Sequence, residues 1–301
     1  MQKKNQVYEL VKNKVGLKED QKYQKLYQAN NPFGVSLQPL ALRHFKRFVA
    51  VLYHLIVVKN QKFDLIIGAG DSGIWLAKIV EMFYQKLGLK LPIILTLPIV
   101  RYKFTYIKYD GQPLDLFNNS VLIPEAKRQL KKLEKLENIL YVDDEIANGT
   151  TSREAIKIVL KTIRKDKIAR NINLIIVAED QDFNPNNFLD GITVTIYPFA
   201  KEVPGIHGVI NYIVSPEIEK EIKTHFNEQE AGSKVRINML LDLPSKDKEL
   251  KEKMFIPKPI FIYDSNKKAK QEIPNFSQLQ TEFKENLNKW IDEAITEYKT
   301  N

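Results

Sequence analysis

The chain contains no cysteine. Disulfides and thiolate metal sites are therefore excluded, and the composition suits a reducing compartment, so a cytoplasmic location is the expectation. A long apolar run is missing as well. The longest, Phe48 to Val58, is interrupted by His54 and falls short of the roughly 20 residues that a spanning helix needs, so no membrane association is expected. The opening residues, Met1-Gln2-Lys3-Lys4-Asn5-Gln6, hold no apolar core of the kind a signal peptide carries. Neither an internal repeat nor a low-complexity tract is present.

What remains is an ordinary globular composition. The 301 residues are 44% hydrophobic and 28% charged, enough for one large α/β domain with extensions or for two small domains. The net charge of +9 favours phosphate, whether in nucleic acid, an acidic membrane or a phosphorylated metabolite. Much of the lysine lies in helical runs such as Lys127 to Lys135, where it marks a solvated face, and the charge alone does not establish nucleic-acid binding.

The hydrophobic pattern alternates between strand and helix. Residues 1–30 read as one or two short helices, broken by Asn30-Asn31-Pro32-Phe33-Gly34. Residues 38–58 carry apolar side chains along one helical face. Phe63 to Ile67 reads as a buried strand, Gly68 to Gly73 as a loop, Ile74 to Leu87 as a helix and Leu91 to Val100 as a second strand. Pro124 to Leu136 reads as a charged helix, Ile139 to Val142 as a strand and Thr151 to Ile163 as a helix; Leu174 to Ala178 and Ile192 to Ile196 add strands. This order predicts an α/β fold with a parallel central sheet flanked by helices. Residues 276–298 form a closing amphipathic helix.

One string concentrates the chemistry. Ile139-Leu140-Tyr141-Val142 runs into Asp143-Asp144, then Glu145-Ile146-Ala147, then Asn148-Gly149-Thr150-Thr151, where a helix begins. A helix N-terminus offers N–H groups and partial positive charge to a phosphate. Gly149 allows close backbone approach, and Asn148, Thr150 and Thr151 add side-chain donors. Two adjacent carboxylates at a strand end need partners, which sugar hydroxyls or a hydrated magnesium ion would supply. The carboxyl end of a parallel strand is also where open α/β sheets bind ligands.

The string resembles the phosphoribosyl-pyrophosphate motif of type I phosphoribosyltransferases, and the resemblance extends in element order over roughly residues 35–225. It implies that Asp143 and Asp144 hold the ribose hydroxyls, directly or through Mg2+, and that Asn148 to Thr151 wrap the 5-phosphate, with Ala147 beside them in the substrate site. By the same resemblance Asp71, Ser72 and Gly73 bind pyrophosphate, and Arg101 and Lys103, with Lys108, open a hood loop that neutralises the departing pyrophosphate. Phe199, beside Pro198, is the candidate to stack on the acceptor base, and His207 is a candidate proton carrier.

Two positions depart from the family pattern. Glu145 stands where an apolar residue is usual. Ala147 stands where many members place Asp, Thr or Ser, an arrangement that does not point to hypoxanthine or guanine as acceptor. Gly68-Ala69-Gly70-Asp71-Ser72-Gly73 also fits a dinucleotide fingerprint, which expects an acid after the second strand, where Arg101 stands.

The expected organisation is a helical extension over 1–34, a phosphoribosyltransferase-like domain over 35–230 and an extension over 231–301. The expected activity is magnesium-dependent transfer of ribose 5-phosphate between phosphoribosyl pyrophosphate (PRPP) and a nitrogenous acceptor. The alternatives are a non-catalytic PRPP or nucleotide sensor of the same fold, touching RNA through its basic surface, and a hydrolase that uses water as acceptor. A homodimer is expected.

Overall fold

A computed structural model describes residues 2–28, 36–97, 99, 108–109, 112–113, 122–147, 149–180, 183–185, 188–201, 206–225, 233–243, 245–246, 262–263 and 270–301. Five strands form one all-parallel sheet: β1 Leu65–Ala69, β2 Ile93–Leu97, β5 Leu136–Ile146, β6 Ile168–Asp180 and β7 Ile192–Lys201. Two-residue ladders pair β3 Lys108–Tyr109 with β4 Gln112–Pro113, and β8 Ser245–Lys246 with β9 Ile262–Tyr263.

The sheet order is β2-β1-β5-β6-β7. The chain therefore steps outward from β1 to β2 and then returns to build on the other side of β1. The reversal falls between β1 and β5, and crevices at such switch points are where doubly wound sheets take ligands.

Because side chains alternate along a strand, the sheet feeds two cores. Ile66, Leu140, Val142 and Ile175 face one cluster, built with α1 Gln2–Lys14, α3 Gln38–Tyr53, α4 Gly70–Lys86, α8 Ser233–Leu240 and α9 Phe276–Thr300. Leu65, Ile67, Ile139, Tyr141 and Ile176 face the other, covered by α5 Ile123–Gln129 and α6 Thr150–Thr162. Two further helices are α2 Leu17–Gln28 and α7 Pro216–His225.

Several boundaries differ from the sequence reading. The charged helix from Pro124 ends at Gln129 and passes through one 3-10 turn to Lys132, because Leu136 is already paired with Ile168 as the first residue of β5. The helix from Gln38 finishes as a π-helical turn, His54–Val58. β7 runs on through Pro198 and Phe199, past the expected strand end at Ile196. A prolonged strand is what a neighbour as long as β6 permits.

The terminal helices share the first core rather than standing apart from it: Val7, Val11, Phe283, Leu287 and Trp290 all belong to that cluster. Charge fastens them as well. Lys46 of α3 is 2% exposed, with its ammonium 2.9 Å from Glu19 of α2 and 2.9 and 2.8 Å from Glu293 and Glu297 of α9. Burial opposes its charge, but hydrogen bonds to Glu297, Glu293 and Glu19 outweigh that and raise its pKa above the ordinary lysine value. Glu297 also accepts from the Gly16 amide at 2.8 Å. Arg47 donates to the Val15 and Lys12 carbonyls at 3.1 and 3.2 Å, closing the C-terminal end of α1.

Lys46→Met is expected to lower the unfolding free energy by about 3 kcal/mol in urea titration, because Glu19 is left buried without its cation. In the unaltered protein this stabilisation is fully present below pH 10.5, the ordinary lysine value, and is lost as pH rises through the raised folded value. An unchanged urea midpoint in the variant would refute the clasp.

Candidate functional site

The cleft opens at the carboxyl ends of β1 and β5, at the switch point. Its walls come from three places: Ala69 to Ser72 where β1 meets α4, Tyr141 and Asp143 to Ala147 at the end of β5, and Gly149, Thr151 and Ser152 at the start of α6, with Ile99 closing one side. Its volume is about 220 Å³.

No loop separates β1 from α4. The helix starts at Gly70, whose φ of +69° lies in the left-handed region that favours glycine, so the strand turns directly into the helix. This corrects the expected loop over Gly68 to Gly73. It also corrects the role of Gly73, which is buried and does not line the cleft. A side chain there would put its Cβ 2.9 Å from the Val142 carbonyl oxygen, so its absence lets α4 lie against the sheet. Asp71 and Ser72 do line the cleft, in the first turn of α4. Asn238 of α8 donates to the Asp71 carbonyl at 3.1 Å, tying the C-terminal region to the back of this wall.

β5 carries the acids inside the strand rather than after it, and its register against β6 shifts between Val142 and Glu145. Strand alternation sends Asp143 and Asp144 to opposite sides of β5, toward Tyr141 and toward Asn211 respectively. Asp143 is half-buried. Its Oδ2 accepts from the Tyr141 hydroxyl and its Oδ1 from the Asp144 amide, both at 2.9 Å. Asp144 is 3% exposed, and its Oδ2 accepts from Asn211 Nδ2 at 2.7 Å. Gly208 presses on the same carboxylate: a Cβ there would fall 2.3 Å from Asp144 Oδ2. Glu145 also lines the cleft, and His207 Nδ1 lies 3.6 Å from its Oε2.

Gly149 precedes α6 at φ +67° and is packed under the Phe183 ring, where a Cβ would meet Cε2 at 2.6 Å. The Ser152 hydroxyl donates to the Gly149 carbonyl at 2.9 Å and fixes the turn. The first amides of a helix have no intrahelical acceptor, and the dipole is positive there. The beginnings of α4 and α6 thus both give onto the cleft. Thr150 sits on this first turn, half-buried, outside the lining.

The structure brings Asp71, Ser72, Asp143, Asp144, Ala147, Gly149 and Thr151 around one space. Arg101, Lys103 and Asn148 lie outside the described residues, and of Lys108 only the backbone is described. Phe199 is corrected. It is 0% exposed and packs edge-on against Phe48 and His44, with ring centroids 5.6 and 6.2 Å apart, so it has no face to offer a base. Burial, reinforced by Arg43 and Arg47, holds His44 well below the ordinary histidine pKa and keeps the ring neutral in that core.

Among the described residues, no group of three or more His, Asp or Glu side chains is arranged to hold a metal ion. Magnesium needs no such cage. It keeps several waters and takes one or two carboxylates together with substrate oxygens, and Asp143, turned toward the cleft, fits that use.

Sequence reasoning missed Tyr141, Asn211 and Gly208 as parts of the site. Trp75 held the one available signal, since a buried indole N–H needs an acceptor and here finds Asn211 Oδ1 at 2.9 Å. No helix among the described residues is long and apolar enough to cross a membrane. No protein-family model and no curated protein matches the sequence.

Proposed function

We propose that the cleft binds PRPP with Mg2+ and that the protein transfers ribose 5-phosphate between PRPP and a nitrogenous acceptor. One observation carries the reading. Two helix N-termini, of α4 and α6, open on a single cleft, with the strand-end carboxylates Asp143 and Asp144 among its walls. A ligand with phosphate groups at both ends of a diol is complementary to that arrangement: anions take the helix ends and hydroxyls take the acids. Breaking the anomeric carbon–oxygen bond leaves an oxocarbenium-like sugar and a pyrophosphate anion. The chain's contribution is positioning and charge complementarity more than covalent catalysis.

The cleft's size favours a compact ligand over a dinucleotide, since about 220 Å³ is below the roughly 300–1,000 Å³ usual for larger organic ligands. Leu97 and Ile99, at the end of β2, are buried and apolar where a dinucleotide site places an acid. Ala147 favours a second reading, a PRPP sensor of the same fold, because it is exposed at the cleft and brings no acid or base.

The test is pyrophosphate release from PRPP and magnesium with a panel of purine, pyrimidine and pyridine bases. Release that depends on one base supports transfer. Release without any base identifies a hydrolase, and calorimetric binding without turnover identifies the sensor. No binding of PRPP at millimolar concentration sinks all three.

A further inference from the structure

A chain of buried hydrogen bonds runs from α4 to the cleft. Trp75 Nε1 donates to Asn211 Oδ1 at 2.9 Å; Asn211 Nδ2 donates to Asp144 Oδ2 at 2.7 Å and to the Gly208 carbonyl at 2.9 Å. Trp75 is 0% exposed, Asn211 1% and Asp144 3%. The three come from separate elements: α4, the 3-10 turn Val209–Tyr212 and β5.

The polarity of this chain has one solution. An indole N–H can only donate, so the amide atom facing Trp75 is the oxygen. The amide NH2 is thereby turned toward Asp144. A donor aimed at a carboxylate oxygen fixes the side chain's rotamer. The Gly208 carbonyl, accepting from the same Nδ2 at 2.9 Å, holds the amide in this orientation from the other end. Gly208, at φ +58°, brings its backbone against the same carboxylate without a side chain in the way.

We infer that Asn211 is the positioning residue of the cleft acid Asp144, with its amide locked in the donating orientation by Trp75 and the Gly208 carbonyl. The aimed carboxylate is the group that would meet a ribose hydroxyl or a magnesium-bound water. This inference rests on the proposed reading of the cleft, and it adds that Trp75 is coupled to ligand binding without touching the ligand.

The test uses the full chain carrying Trp290→Phe, which leaves Trp75 as the sole tryptophan. In a nitrogen–proton correlation spectrum, Asp144→Asn shifts the Trp75 indole N–H resonance, while Asp143→Asn moves it far less. An unmoved resonance in Asp144→Asn overturns the relay. Affinity for magnesium-PRPP, measured by calorimetry on folded protein, then falls about tenfold or more in Asn211→Ala and in the isosteric Asn211→Asp. A purely structural asparagine would change the melting temperature alone, so unchanged affinity in folded Asn211→Asp overturns the positioning role. If Asn211→Ala does not fold, Asn211→Asp and Trp75→Phe carry the measurement. Absence of magnesium-PRPP binding by the parent protein overturns the proposed function instead, and the indole resonance still decides the relay.

Discussion

Gly68→Ala yields little or no folded protein, or shifts the urea midpoint by the equivalent of about 4 kcal/mol or more. Gly68 sits in β1, the strand on which β2 and β5 both pair. A Cβ there would stand 2.0 Å from the Gly73 carbonyl oxygen and 2.7 Å from Ala77 Cβ. Overpacking usually costs about 1–3 kcal/mol because side chains re-arrange. Here the nearest obstacle is backbone in the first turn of α4, so the helix itself must move off the sheet. Moving α4 opens the first core and withdraws Asp71 and Ser72 from the cleft. Circular dichroism and urea titration of the purified variant check the prediction, and a midpoint within 1 kcal/mol of the parent would refute the packing argument.

The same glycines show what the sequence could and could not reveal. The apolar runs over 63–67, 139–142 and 174–178 announced buried parallel strands, because two covered faces demand near-continuous hydrophobicity. Glycine spacing, however, reads identically for a phosphate loop and for tight strand-to-helix packing. Only the position of the Val142 carbonyl shows that Gly73 serves packing. The strand end was misjudged for a related reason. Asp143, Asp144 and Glu145 are poor strand formers by propensity, yet pairing of Glu145 and Ile146 with Glu179 and Asp180 carries β5 through them.

Phe199 failed as a stacking residue because an aromatic after a proline resembles a loop platform, whereas β6 extends β7 past it. Asn211 was invisible for a different reason. Its partners lie 136 and 67 residues away in sequence, and no local pattern encodes such a contact. The Asp143–Gly149 segment was legible as a cleft wall because strand, carboxylates and helix start are contiguous along the chain.

Asp143→Ala should weaken magnesium-PRPP binding by about 100-fold or more while lowering stability by only about 1 kcal/mol, the cost of depriving the buried Tyr141 hydroxyl of this acceptor. The carboxylate is half-buried and faces the cleft, so its removal exposes little core. What is lost is an acceptor already aimed by the Tyr141 hydroxyl and the Asp144 amide, each at 2.9 Å. Hydrogen bonds to a charged group contribute about 1.5–3 kcal/mol each, and two such contacts to a ribose diol or to magnesium-bound water account for a hundredfold or larger effect. Tyr141→Phe removes one of the two aiming contacts and keeps the charge, so its loss should be only a few-fold. That graded pair separates a ligand-holding carboxylate from one that merely satisfies its strand. In the second case Tyr141→Phe and Asp143→Ala would change stability together and affinity not at all. Calorimetric titration of the two folded variants with magnesium-PRPP makes the distinction, and an Asp143→Ala affinity within twofold of the parent removes Asp143 from the site.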